Sequence, residues 1–496
     1  MSGAATRPDG RPAWVSSILV GVPLAAILAA AALVDEVGVP VFWPTYVLAV
    51  LALPVIYIRL ARSPAAIVGL LIAWFAVNAF VVALLAPYVE PRSAAWLQNF
   101  KEFMYLALLA TLVTPLVVGN VGARWRALRS RLIAPDWLAV GVVVVVVLYL
   151  IVARFISADW AGSVVYARRF ASLPVIYLIG RLLPADKGEF RRAVGYLVWV
   201  AFVVAVLGLI ERVLLGDRFW TDVVHVGIYR NAIGTEGFGS PHERLPGGIP
   251  ANWTSSLGGV ELRRMVSTFL EPTTLGMFLA LSFVLGCAAN LRAGLALRSP
   301  RWLIVGVIGL ALILTLGKGG AVVVLIALFV MAVSGRRRAS PSLLLVLAAG
   351  VVVILTFASQ ALPVATNVNR HLGGLLTGLG QLWTQPLGTG LGSTGYWGAI
   401  RYVGNDSTIG AIAAQVGLVG AALYVGWLSL TFARLLTSSD GTGPRGYAAA
   451  MGGAVLGLLA VAFLSNSASG LVGSAFYLLF GGWLLAIRRA DEGSTS

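Results

Sequence analysis

Residues 65–86 read AAIVGLLIAWFAVNAFVVALLA, a continuous apolar run without a charged side chain. An α-helix rises about 1.5 Å per residue, so a run of roughly 20 residues crosses the ~30 Å hydrocarbon core of a bilayer. Similar runs recur along the chain, which is 59% hydrophobic and only 11% charged, with a mean hydropathy of +0.89. This composition excludes an ordinary soluble protein and predicts an all-α, polytopic membrane protein.

The apolar runs predict about 12–14 transmembrane helices in a single membrane domain over residues 1–496. The first run follows Arg7 and Arg11 and has no clear small-residue cleavage site, so we expect a spanning helix rather than a signal peptide. The predicted spans are residues 14–34, 41–60, 65–86, 102–119, 137–153, 171–184, 193–215, 267–288, 302–316, 319–335, 342–358, 407–433, 446–465 and 468–487.

The charge distribution predicts the orientation of the chain. The 36 Lys and Arg against 20 Asp and Glu leave a net charge of +16. With a cytoplasmic amino terminus, most of the basic residues fall on one side in short loops, such as 124–131, 187–192 and 336–338, as the positive-inside rule requires. We therefore expect a multi-pass protein of the cytoplasmic membrane with both termini in the cytoplasm. The excess of positive charge then needs no nucleic acid partner.

Two predicted extracytoplasmic segments, residues 216–266 and 359–406, are longer than ordinary connections. Both contain aromatic residues, so we expect each to pack as a cap on the helix bundle. The first contains Trp220, Tyr229, Phe238 and Trp253, and the second contains Trp383, Tyr396, Trp397 and Tyr402. All three histidines of the chain, His225, His242 and His371, also lie in these two segments.

The outer end of the eighth predicted helix reads RRMVSTFLEPTT, beginning at Arg263. The spacing of Arg264, Ser267, Glu271 and Thr274 predicts one polar stripe on a helix, with Glu271 about two turns inside the apolar run. An acidic group at that depth is costly unless it faces a cavity or a cation. The stripe therefore either lines a cavity for a lipid headgroup or forms a structural ion pair within the bundle.

A second segment, LTLGKGG, forms a tight outer turn between the ninth and tenth predicted helices. Lys318 is a single cation in this turn, which glycines surround. The lysine either extends its side chain to the membrane surface or binds a phosphate that approaches the glycine backbone closely.

A third segment contains Gly388, Gly390 and Gly392 and continues through Arg401 to Asp406, at the start of the twelfth predicted helix. Asp is a favourable helix N-cap, and that role is compatible with a catalytic one. The glycine pattern does not follow a strand, as a dinucleotide site requires.

Together these segments predict a cationic site that faces outward. Arginine binds diphosphate oxygens in a bidentate manner, and a carboxylate or imidazole can take the proton of an attacking sugar hydroxyl. No carboxylate-rich metal cluster is present in the sequence, so arginine and lysine would stabilise the leaving group. The cations are Arg264, Lys318 and Arg401, with Arg168, Arg169 and Arg370 as further candidates; the candidate bases are Glu271, Asp406, His242 and His371.

Three stretches resemble the O-antigen ligase and polymerase superfamily, over roughly residues 263–425. They are RRMVSTFLEPTTLGMFLAL, LTLGKGG, and GTGLGSTGYWG together with NDSTIGAIAAQVGLVGAALYV. The resemblance implies a GT-C-like, metal-independent glycosyltransferase without a cofactor. It also implies that the enzyme uses an undecaprenyl-diphosphate-linked oligosaccharide at the outer membrane face, alongside other polysaccharide export and chain-length proteins.

The chain departs from the family pattern in two places. Where many members have Ser-Arg-Gly, this chain has Gly317-Lys318-Gly319, which keeps the charge without the bidentate geometry. Where ligases have a His before the later helix, this chain has Asn405-Asp406. Asp406 or His371 is then the expected base.

The leading prediction is a surface polysaccharide polymerase that transfers a glycan from undecaprenyl diphosphate to a sugar hydroxyl of another lipid-linked repeat unit. The predicted catalytic residues are Asp406, His371 and Glu271; the predicted diphosphate-binding residues are Arg263, Arg264, Lys318 and Arg401. A ligase that transfers the glycan to a lipid or protein acceptor is the nearest alternative. A transporter or flippase of lipid-linked oligosaccharide and a membrane scaffold without catalysis are the alternatives from other classes.

Overall fold

A computed structural model gives the fold of most of the chain. The described residues are 42–61, 63–117, 129, 132–156, 160–233, 249–257, 260–296, 298–334, 365–393, 407–437 and 445–494. The predicted spans 14–34 and 342–358 lie outside them, as do Arg401, Asp406 and His242. The side chains of Arg370 and His371 are also outside the description, although both residues belong to a helix.

The described residues are mainly helical, as the sequence predicts. The helices are α1 (Phe42–Leu60), α2 (Pro64–Leu85), α3 (Pro91–Val117), α4 (Ala134–Ile156), α5 (Trp160–Leu182), α6 (Lys187–Ile210), α7 (Val226–Ala232), α8 (Pro272–Arg292), α9 (Pro300–Leu314), α10 (Lys318–Ser334), α11 (Ala365–Thr384), α12 (Thr408–Thr437), α13 (Arg445–Leu464) and α14 (Leu471–Ser494). One antiparallel hairpin, β1 (Thr254–Leu257) and β2 (Val260–Arg263), pairs Thr254 with Arg263.

Eight helical segments in the described part of the chain are long and apolar enough to cross a membrane. Two shorter apolar helices, α9 and α10, accompany them. The protein is therefore a multi-pass membrane protein.

Several predicted helix boundaries are wrong. Helix α3 begins at Pro91 rather than at residue 102, and α5 begins at Trp160 rather than at residue 171. Each of these helices continues into a polar end that hydropathy does not mark, such as the turns of α5 that contain Arg168 and Arg169. After α6, two π-helical turns separated at Gly216 extend the span to Val223, beyond its predicted end at residue 215.

The described residues divide into two compact units. The first is drawn from Met1–Val121, Asp186–Ala251 and Ser267–Leu270, and the second from Gly122–Ala185, Asn252–Val266 and Glu271–Ser496. The prediction of one membrane domain over residues 1–496, with a core at 263–425, remains a prediction.

The second unit packs its helices closely through glycines. A side chain at Gly180 of α5 would meet the backbone of Leu479 in α14, and one at Gly457 of α13 would lie 2.7 Å from the Val323 Cα in α10. Small residues let helix backbones approach in this way, and such contacts are typical of membrane helix bundles.

Two ends of the second unit differ in their polar groups. At one end, Arg181 pairs with Asp136 at 2.9 Å, and the Arg488 Nη1 donates to the Leu435 carbonyl at 2.7 Å. The opposite end contains the start of α8.

Helix α12 is broken at Gly417. This residue has φ 74° and ψ −166°, so the helix consists of two segments that meet there. Glycine suits this position because φ is positive, and because a side chain would collide with the Pro386 carbonyl.

The aromatic residues of the two long segments behave differently. Trp220 and Tyr229 are buried in the first unit, and Trp253 is buried in the second. Trp383 is 90% exposed, so the prediction that it packs in a cap is wrong. Phe238, Tyr396, Trp397 and Tyr402 lie outside the described residues.

Candidate functional site

The prediction of one helical stripe from Arg264 to Thr274 is wrong. Ser267 and Leu270 have positive φ angles of 47° and 54°, which end any helix there, and α8 begins only at Pro272. Glu271 is the N-cap of α8 and does not lie two turns inside it. Proline is favourable directly after an N-cap because the first turn of a helix does not use its backbone N–H groups.

Arg264 and Glu271 nevertheless belong to one hydrogen-bonded group in the second unit, and Asn252 joins them. The Arg264 Nη1 donates to the Asn252 carbonyl at 3.1 Å, and the Asn252 Nδ2 donates to Glu271 Oε2 at 2.8 Å. The other carboxylate oxygen of Glu271 accepts from the Thr273 hydroxyl at 2.6 Å. One oxygen of Glu271 therefore caps α8, and the other links Glu271 through Asn252 to Arg264.

The hairpin positions the Arg264 guanidinium at the end of α9. The Arg264 N–H donates to the Trp253 carbonyl at 2.7 Å, and the Met265 N–H donates to the Leu314 carbonyl at 2.9 Å. The Arg264 Nε then donates to the Thr315 carbonyl at 2.9 Å. The last carbonyls of a helix lack partners within it, so a cation is favourable at this place.

The electrostatic environment of Arg264 combines burial with a nearby carboxylate. Burial lowers the pKa of its guanidinium from the usual value, and the negative charge of Glu271 offsets part of that shift by raising it. Arginine remains charged in such an environment. The site therefore holds a partly desolvated cation, which attracts an anion more strongly than a cation in water does.

Arg263 has a different role from its neighbour. Its guanidinium lies over the Trp253 ring, 5.8 Å from the centroid, in a cation–π contact. The prediction that Arg263 binds diphosphate is not tested by this contact.

Lys318 is the first residue of α10 and is exposed. The turn before it is ordered by Thr315, whose hydroxyl donates to the Leu312 carbonyl at 2.7 Å and accepts from the Gly317 N–H at 3.1 Å. The same Thr315 carbonyl accepts from Arg264, so the turn that presents Lys318 is hydrogen-bonded to the other cation.

A polar loop that connects α13 to α14, residues Ser465–Gly470, lies beside this turn. An added side-chain carbon at Gly319 would lie 3.5 Å from the Ser467 hydroxyl. At the start of α12, the Thr408 hydroxyl donates to the Ser465 carbonyl at 2.9 Å. At the start of α14, an added carbon at Gly473 would lie 3.1 Å from the Thr274 carbonyl of α8.

The amino-terminal ends of α8, α10, α12 and α14 therefore meet around the Ser465–Gly470 loop. The N–H groups of a first helical turn carry a partial positive charge, and such ends favour anions. The ends of α8 and α12 are capped by Glu271 and Ser407, and Arg264 and Lys318 lie beside the four ends. The cations together with the ends of α10 and α14 make this region suited to a phosphate or diphosphate group.

Arg169 is part of the same region. Its Nε donates to the Ser469 hydroxyl at 2.5 Å, and its Nη2 donates to the Asn466 carbonyl at 2.7 Å. The sequence suggested Arg168 and Arg169 only as further candidates. The structure separates them, because Arg169 is half-buried against the loop while Arg168 is exposed.

The structure thus brings together Arg264, Glu271 and the turn before Lys318, and adds Asn252 and Arg169. Sequence reasoning missed Asn252, and it assigned half of the Ser465–Gly470 loop to a helix that begins at Leu471. The polar run SNSASG between two apolar helices was the available signal. His225, by contrast, lies in the first unit, with φ 52°.

Asp406 and Arg401 lie outside the described residues, and the structure gives no side-chain position for His371, so these three site predictions are not tested. Within the described ranges, no group of three His, Cys, Asp or Glu residues could hold a metal ion. The absence of a metal or cofactor remains a prediction.

The chain matches no protein-family model, and no curated protein matches it significantly. The resemblance to the O-antigen ligase and polymerase superfamily therefore rests on the sequence stretches alone.

Proposed function

We propose that the protein is a membrane glycosyltransferase that polymerises a surface polysaccharide from undecaprenyl-diphosphate-linked repeat units. The observation that carries this proposal is the meeting of four helix amino-terminal ends with Arg264, Lys318 and Arg169 around the Ser465–Gly470 loop. A diphosphate is the anion that such a surface fits best, because two phosphate groups can share several N–H donors and cations.

In the proposed reaction, a sugar hydroxyl of one lipid-linked unit attacks the anomeric carbon of another. The bond from that carbon to the diphosphate oxygen breaks, and the diphosphate leaves with the bonding electron pair. The cations stabilise the charge that develops on the departing oxygen. The hydroxyl proton goes to a base, for which Asp406 and His371 remain the candidates.

Glu271 is better assigned to positioning than to proton transfer. Its oxygens accept hydrogen bonds from the Asn252 amide and the Thr273 hydroxyl, which fix the carboxylate as the cap of α8 and link it to Arg264 through Asn252. The resemblance and the predicted orientation support an extracytoplasmic position for this chemistry at the cytoplasmic membrane.

Transport of lipid-linked oligosaccharide is the second candidate function. The break of α12 at Gly417 favours it, because discontinuous helices are frequent in transporters. A ligase would use the same diphosphate site with a different acceptor.

The test is incubation of the purified protein with synthetic undecaprenyl-diphosphate oligosaccharide, followed by mass spectrometry of the lipid-linked products. Longer lipid-linked chains support the polymerase, and transfer only to an added lipid or protein acceptor supports the ligase. Movement of the substrate across liposomes without any new glycosidic bond would refute the enzyme.

The variant Arg264→Gln is expected to lose most of this activity. The matched control is Arg301→Ala, which removes one exposed arginine from the first turn of α9, at the other end of that helix. Equal loss in both variants would show that the cation at residue 264 has no special role.

A further inference from the structure

Helix α11 runs alongside the first half of α12. A side chain at Gly378 of α11 would collide with the Gly410 carbonyl of α12, so the two backbones touch there. Further along, the Thr389 N–H donates to the Ala414 carbonyl at 2.8 Å, and the Leu418 N–H donates to the Pro386 carbonyl at 2.9 Å. The two helices therefore run in the same direction, and α11 begins about 14 Å before the level of Gly410.

Two neighbouring helices, α12 and α4, show how far the chain after α11 extends along the helix bundle. Gly417 follows the start of α12 at Thr408 by about 14 Å of helix. Tyr149 of α4, whose hydroxyl donates to the Leu387 carbonyl, precedes the end of that helix by about 10 Å. The chain then returns, because the Leu391 carbonyl accepts from the hydroxyl of Ser163 in the first turn of α5 at 2.7 Å.

The backbone of residues 385–393 is extensively hydrogen-bonded, although it forms no regular element. Three of these hydrogen bonds are those of the Thr389 N–H, the Pro386 carbonyl and the Leu387 carbonyl described above. In addition, the Gly390 N–H donates to the Gln415 carbonyl and the Gly392 N–H to the Gln415 side chain, each at 3.0 Å. A loop in water does not need these partners. In a bilayer, irregular backbone is tolerated only where protein groups satisfy it.

Three large apolar side chains of this segment are exposed, together with the polar residues Thr377, Thr384 and Gln385. A helix turns by about 100° per residue, so Leu376 and Trp383 lie opposite Gly374 and Gly378, which face α12. Leu376 is 59% exposed, Trp383 is 90% exposed, and Leu387 after the helix is 71% exposed. Exposure of three large apolar side chains within twelve residues is costly in water but favourable in lipid.

We propose that the second half of α11 and the loop after it, residues 374–393, form a re-entrant segment that enters one leaflet of the membrane, where Leu376, Trp383 and Leu387 contact lipid acyl chains. The break of α12 at Gly417 supplies the carbonyl and N–H groups that satisfy the loop at its deepest point. This assignment does not depend on the proposed reaction, because it concerns only the contact between this segment and the bilayer.

Spin labels at single cysteines test the proposal in liposomes. The background is Cys287→Ala, since Cys287 is the one cysteine of the chain. Labels are placed by Leu387→Cys and Trp383→Cys, with Leu148→Cys on the exposed face of α4 as the lipid reference and Arg298→Cys as the loop reference.

The ratio of collisions with oxygen to collisions with a water-soluble nickel chelate is expected to match the ratio at Leu148→Cys. A ratio equal to that at Arg298→Cys would place the segment in water and overturn the proposal. Exclusion of both reagents would also overturn it, because protein, such as a second copy of the chain, would then cover the face.

Quenching by brominated lipids provides a second measurement, which compares the unmodified protein with a variant that lacks only Trp383. Bromine on the acyl chains quenches tryptophan fluorescence on contact, so Trp383→Phe is expected to lower the quenched fraction relative to the unmodified chain. An unchanged quenched fraction would contradict lipid contact at Trp383.

Discussion

The side-chain amide of Asn252 donates a hydrogen bond to the Glu271 carboxylate at 2.8 Å. The backbone carbonyl of the same asparagine accepts from Arg264, so one residue connects the acid and the cation at the start of α8. Glu271 therefore has a structural role that the spacing of polar residues in the sequence does not predict.

Glu271→Gln is expected to keep most of the activity, because the glutamine oxygen can still cap α8 and its NH2 group can donate to the oxygen of a reversed Asn252 side-chain amide. Glu271→Ala removes the cap and is expected to cost about 0.5–2 kcal/mol of stability. Activity and thermal unfolding of both variants in detergent provide the check. Complete loss of activity in Glu271→Gln, with unchanged unfolding, would instead identify Glu271 as the base.

Arg169→Ala is expected to destabilise the protein by about 1.5–3 kcal/mol, because two charge-assisted hydrogen bonds to the Ser465–Gly470 loop disappear. Arg168→Ala is the matched control, since the neighbouring arginine is exposed. Thermal unfolding of the two variants measures the difference. Equal shifts would mean that the contacts of Arg169 to the loop contribute nothing specific.

Gly417→Ala is expected to destabilise the protein by about 1–3 kcal/mol, because alanine is strained at φ 74° and its side chain would meet the Pro386 carbonyl. Gly306→Ala in α9 is the control, since a side chain there meets nothing within 4 Å. That control is expected to be neutral or slightly stabilising. An unchanged melting temperature in Gly417→Ala would contradict the break in α12.

Arg264→Lys tests whether planar, bidentate geometry matters at this position. Lysine keeps the charge but cannot donate to the Asn252 and Thr315 carbonyls in the same fork. We expect catalytic activity to fall by about tenfold or more, which corresponds to roughly 1.4 kcal/mol. Turnover measured at saturating substrate checks this, and full activity would show that charge alone suffices.

The helices could be predicted from sequence because hydropathy directly reports burial in lipid. The apolar run at residues 65–86 corresponds to α2, Pro64–Leu85, almost residue for residue. Polar helix ends, such as the turns of α5 near Arg169, do not differ from loops in hydropathy and were therefore missed.

The predicted start of the eighth helix, at residue 267, is wrong for a different reason. Ser267 donates to the Val204 carbonyl and Thr268 to the Ala76 carbonyl within the first unit, and these distant contacts hold a non-helical turn. The sequence EPTT does contain a local signal, since an acid followed by proline is typical of a helix start.

The site could be predicted only in part for a similar reason. Arg264, Glu271 and Lys318 lie in one stretch of chain, and their polar side chains stand out among apolar residues. Arg169 donates a hydrogen bond to Ser469, which is 300 residues away in the sequence, and no local sequence pattern predicts such a pair.

The region around Arg264, Lys318 and the Ser465–Gly470 loop is proposed to bind diphosphate. The most direct measurement is equilibrium binding of undecaprenyl diphosphate to the purified protein in nanodiscs, with undecaprenol as the uncharged reference. We predict that the diphosphate binds far more tightly than undecaprenol, that Arg264→Gln weakens its binding by about tenfold or more, and that Arg301→Ala leaves it unchanged. Equal binding of the two lipids, or wild-type affinity in Arg264→Gln, would contradict the account.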